Sequence, residues 1–106
     1  MVNITDKNIF MTKGDTIKLT LDIKDKLGKT YYMAEGDSIK LAVRKPHATV
    51  DTFVVTSNTV DLYISSGITA NVKEGEYQYD VQITFANGEI NTIVPLHKFV
   101  IQKEVS

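Results

Sequence analysis

Apolar and polar residues alternate with a period of two in four separate stretches of the chain. Residues 16–24 set Ile17, Leu19, Leu21 and Ile23 on one side and polar groups on the other. Residues 38–45 repeat the scheme with Ile39, Leu41 and Val43, and residues 59–65 with Val60, Leu62 and Ile64. The longest case, 76–85, aligns Tyr77, Tyr79, Val81, Ile83 and Phe85. Such alternation gives a strand one face for a core and one for water, as in antiparallel sheets. Weaker patterns predict further strands near 7–12, 29–33, 50–56, 89–94 and 97–103.

The punctuation between these stretches agrees. Asn87-Gly88 predicts a hairpin of type I′, because both residues tolerate a positive φ. Asp25-Lys26-Leu27-Gly28 and Ser57-Asn58 predict two more hairpin turns. Gly14 and Gly36 each precede an Asp and then a strand, where unusual backbone angles are needed. Pro46 ends a strand, and Pro95 is expected to break the pairing that starts at Gly88, since proline donates nothing to a ladder. Residues 66–73 do not alternate; with a cap at Ser66 they predict one short helical crossover.

One-faced strands must cover each other. Two sheets packed face to face are the favoured arrangement, with a small barrel as the alternative. The string Glu74-Gly75-Glu76-Tyr77 after the crossover supports an immunoglobulin-like antiparallel β-sandwich of 7–9 strands, in which Tyr77 would tie down the corner through its hydroxyl. Tyr79 would then stand where an antibody-type domain carries a cysteine.

Composition sharpens this picture. Val, Ile and Thr number 11, 11 and 12 among 106 residues, whereas Leu and Ala together reach 11, so the choice of residue is that of an all-β chain. One domain, 1–106, fits the length and the even composition. The chain has no Cys, which excludes thiol catalysis, disulfides and cysteine-bound zinc. Its 12 basic and 13 acidic residues leave a net charge of −1, which argues against a nucleic-acid partner. No apolar run approaches the ~20 residues of a spanning helix, and the start lacks a secretory leader. Synthesis in a cytoplasm and no membrane partner are the resulting expectations.

Candidate chemistry is sparse. His47 and His97 fall in expected loops with no nucleophile motif beside them. Asp22, Asp25, Glu35 and Asp37 fall in loops, interleaved with Lys24, Lys26 and Lys29, and form no calcium-binding run. The acidic residues as a group read as turn and surface positions. No enzyme activity, metal or cofactor is expected. Tyr31 and Tyr32 are neighbours and must face opposite sides of any strand, so one of them is exposed beside Met33. Tyr63 faces outward in its own strand. Tyr31, Tyr32, Met33 and Tyr63 are therefore the candidate contact residues.

A family resemblance rests on several short strings in a fixed layout. These are Phe10-Met11-Thr12-Lys13-Gly14-Asp15-Thr16, Gly36-Asp37-Ser38 and Gly75-Glu76-Tyr77-Gln78-Tyr79-Asp80-Val81-Gln82, then Asn87-Gly88 and Pro95 before the last strand. In this the chain resembles the immunoglobulin-like β-sandwich domain of phage and prophage structural proteins of low-GC Gram-positive bacteria, most nearly the N-terminal domain of the baseplate upper protein family. The resemblance implies a bacteriophage virion component of tail, baseplate or head. Such a component works through protein–protein contacts, with other phage proteins or itself in a homo-oligomer as partner. It implies no catalytic or ligand residue. Ending at Ser106, the chain lacks the downstream region of larger members, so a standalone accessory protein is expected. A carbohydrate-binding or adhesion-type sandwich, using Tyr32 and Tyr63, is the alternative.

Overall fold

The alternating stretches become strands in the structure, a computed structural model that describes residues 2–5, 8–25 and 27–103. In chain order these are β1 (Val2–Thr5), β2 (Asn8–Thr12), β3 (Ile17–Thr20), β4 (Ser38–Arg44), β5 (Phe53–Ser57) and β6 (Asp61–Ile64). The helix α1 (Ser66–Ala70) follows, then β7 (Gly75–Thr84) and β8 (Ile90–Gln102). Lys7 and Lys26, which fall within an expected strand and an expected turn, lie outside the described residues.

A six-stranded sheet runs in the order β1-β2-β8-β7-β4-β5, and a second sheet holds β3 and β6. Among the described residues the fold is all-β apart from the turn-and-a-half of α1. Both sheets feed one core. Ile17, Leu62 and Ile64 come from the small sheet, and Ile39, Leu41, Val43, Val81, Ile83, Phe99 and Ile101 from the large one. Every inward position read from 38–45 and every one from Tyr77 to Ile83 is buried. Edge-on aromatic contacts of Phe99 with Phe53 and Tyr79, each with centroids 6.0 Å apart, knit the strands at one end of the large sheet.

The crossover is fastened at both ends. Ser65, rather than Ser66, caps α1, its hydroxyl accepting from the Ile68 N–H at 3.4 Å. Thr69, fully buried, donates from Oγ1 to the Asp15 carbonyl at 2.7 Å and so ties the helix to the approach to β3. The Tyr77 hydroxyl donates to the Lys73 carbonyl at 2.7 Å, as expected of a corner tyrosine.

Several expectations require correction. The large sheet is mixed, because β2 pairs with β8 in parallel (Ile9 opposite Phe99 through Thr12 opposite Gln102). Pro95 does not break the last hairpin; β8 runs continuously through it. The reason is local: between the pairs Tyr79–His97 and Val81–Val94, the single Asp80 faces both Pro95 and Leu96, so the proline sits in a bulge. On its other side β8 pairs with β2 from Phe99 onward, so among the described residues no strand lies beside Pro95 to need the missing N–H. His97 accordingly lies within a strand rather than a loop. Ser57-Asn58 links β5 to β6 across the two sheets and is not a hairpin. Residues 29–33 contribute only an isolated bridge, Lys24 with Thr30. At Asn87-Gly88 the hairpin forms, but only Gly88 is left-handed (φ 90). Asn87 instead accepts the Glu89 N–H on its side chain at 2.9 Å, so the turn is not type I′.

Candidate functional site

The four expected contact residues separate into two kinds. Tyr31 and Met33 are half-buried against the core, whereas Tyr32 and Tyr63 are 82% and 61% exposed. Tyr31 lies edge-on to Phe85 and donates from its hydroxyl to Asp37 Oδ2 at 2.5 Å. Asp37 is buried, against its reading as a surface acid, and also accepts from the N–H groups of Ala34 (2.9 Å) and Ala86 (3.1 Å). These bonds hold the carboxyl below its ordinary pKa, the Tyr31 hydroxyl first among them. Hydrogen bonding to the carboxylate, ahead of burial, raises the Tyr31 phenol. The cluster clamps the 31–37 loop to the β7–β8 turn, a structural task.

A second, more enclosed surface lies along β3. The small sheet has two strands against six, so it covers only part of the large sheet's apolar face. Beside β3 this leaves a groove of about 320 Å³, its floor formed by Ile9, Tyr79, Val81, Ile93 and Val94. Leu19, Leu21 and Ile23 form its wall, with Thr20 and Asp22 at the rim. The bulges of β8 around Ile93 and Pro95 shape the floor here. Burial raises the Tyr79 phenol above its ordinary pKa, in keeping with an apolar setting.

The main chain of β3 gives this groove a second property. Among the described residues β3 pairs with β6 alone, and the bond from Leu21 N–H to the Val60 carbonyl (2.9 Å) extends that ladder. Antiparallel alternation therefore turns the main-chain groups of Ile17, Leu19 and Leu21 toward β6 and those of Lys18, Thr20 and Asp22 away from it. Beyond Leu21, Tyr31 N–H donates to Ile23 O (2.7 Å), so that carbonyl is satisfied within the chain. Three residues thus present N–H and C=O groups along an edge that no strand among the described residues covers, directly above an apolar slot. That arrangement accepts an extended chain: its main chain on the edge, its alternate apolar side chains in the groove.

Sequence reasoning found the residues of this wall as strand positions but not the groove, because which strands become edges is a property of topology. Among the described residues, no cluster of three His, Cys, Asp or Glu side chains could hold a metal ion, and no helix is long and apolar enough to cross a membrane. Comparison with family models, curated proteins and solved structures found no match.

Proposed function

We propose that this chain is an immunoglobulin-like module of a phage or prophage particle that acts by protein–protein contact, without catalysis. The observation that carries the contact role is the open β3 edge above an apolar groove, a surface suited to another polypeptide rather than to a polar metabolite. The immunoglobulin-like reading is supported by the Tyr77–Lys73 corner and by a helical crossover between β6 and β7 that changes sheets. The particle itself is suggested by the string Gly75–Gln82 and the Asn87-Gly88 and Pro95 layout that follows it. Purified particles from an induced host strain, separated by density gradient and read by mass spectrometry, test it. The chain should band with the particles; recovery only in the free protein fraction overturns the reading. Exposed Tyr32 and Tyr63 support a second reading, glycan binding. Binding on a glycan array that Tyr32→Ala or Tyr63→Ala abolishes would favour it instead.

A further inference from the structure

The open edge of β3 is self-complementary in charge and in register. Turned about a two-fold axis through Thr20, a second copy runs antiparallel along the first. Thr20 then meets Thr20, and Lys18 meets Asp22 of the second copy at each end. The residues brought together, 18, 20 and 22, are those whose main-chain groups face the open side, so the three pairs form about six N–H···O bonds. Lys18 and Asp22 are exposed on the outer face. Asp22 already meets Lys24 of its own chain at 3.1 Å yet keeps two-thirds of its side-chain surface (67%), so a second cation can reach it. On the inner face Leu19 lies opposite Leu21 of the second copy, over the groove. Slipping by four residues sets Lys18 against Lys18 or Asp22 against Asp22, and slipping by two sets Lys18 against Lys24 or, the other way, against Thr20, with no acid opposite it. The charges therefore favour the centred register.

We propose that this chain forms a two-fold dimer by antiparallel pairing of residues 18–22 with the same residues of a second copy, joining two small sheets into one four-stranded layer. Edge lysines ordinarily deter pairing; here Lys18 finds an acid opposite it, which makes the edge selective for its own copy. The proposal deepens the contact reading above and rests on it only in treating this edge as an interface. Particle purification tests that reading, and association of the pure chain tests this one. Sedimentation equilibrium of the full chain should show a monomer–dimer equilibrium. Lys18→Glu alters both ionic pairs at once and should weaken the dimer by about tenfold or more. The double variant Lys18→Glu/Asp22→Lys should restore affinity to within about threefold. Thr20→Pro removes N–H groups at the axis and should abolish the dimer while the chain still melts cooperatively. The amides of Lys18, Thr20 and Asp22 should exchange more slowly as concentration rises. A monomer at every concentration overturns the proposal. So does a dimer indifferent to the single charge reversal, and so does protection of those amides in the monomer, which would mean that the chain covers its own edge.

Discussion

Replacing Tyr77 by Phe removes one atom and leaves the ring, which is only 3% exposed, in place. What is lost is the 2.7 Å bond from its hydroxyl to the Lys73 carbonyl, the tie between the crossover and β7. A net hydrogen bond of this kind contributes about 1 kcal/mol. For a domain near this size that corresponds to a melting point lower by roughly 4–8 °C. The urea midpoint should fall by roughly 0.3–1 M at unchanged slope. Tyr77→Ala, which also empties the ring's site, should cost about 3–5 kcal/mol. Alkaline pH gives an independent check. Burial, and secondarily Glu74, raise the Tyr77 phenol above its unfolded value. Its contribution is fully present below about pH 10 and is lost as pH rises through the folded pKa. The gap between wild type and Tyr77→Phe should therefore narrow above about pH 10, with Tyr31 and Tyr79 sustaining the remaining slope. Urea melts of the two proteins at neutral and alkaline pH measure both effects. An unchanged neutral midpoint in Tyr77→Phe would refute the role given to the hydroxyl.

Glycine substitutions should separate backbone strain from crowding. Gly28 (φ 80) has open space where a Cβ would stand, so Gly28→Ala should cost about 1–2 kcal/mol in a thermal melt. Gly36 (φ 92) would bring its Cβ to 2.8 Å from the Ala86 Cβ, and Gly36→Ala should cost at least about 1 kcal/mol more. On the acid side, the depressed pKa of Asp37 means stability that is present above the ordinary carboxylate range and lost as pH falls through the folded value. Asp37→Asn should be less stable at neutral pH and flatter in its acid limb, as followed by melting point against pH. Thr69→Val deletes the bond to the Asp15 carbonyl and should lower stability by about 1 kcal/mol in urea, with the strand signal of circular dichroism retained.

Alternation was a dependable guide wherever a strand lies between two neighbours or faces the core. Ile39, Leu41, Val43, Tyr77, Tyr79, Val81 and Ile83 were legible because burial on one face leaves a period of two in the residues themselves. Tyr77 was legible as a corner because the preceding glycine and acid mark a turn. Asp37 and Thr69 were not, since their burial depends on partners 49 and 54 residues away, Ala86 and Asp15. Pro95 was not legible as a strand residue, because the bulge that accommodates it arises from the register of β8 against β7. The candidate site was half visible: Leu19 and Leu21 read as inward, yet they are only half-buried because the small sheet stops at β3. Of the tyrosines chosen as contacts, Tyr31 is occupied with Asp37.

The parallel pairing of β2 with β8 also governs the order in which the chain can fold. Ile9 and Met11 are covered only when residues 99–102 arrive beside them. Closing a loop of about 90 residues costs roughly 4 kcal/mol of chain entropy, so this contact repays its cost late. During synthesis β2 must wait, with two large apolar side chains unprotected, until residues 99–102 have left the ribosome. The β7–β8 hairpin closes a far shorter loop and offers the surface onto which β2 finally docks.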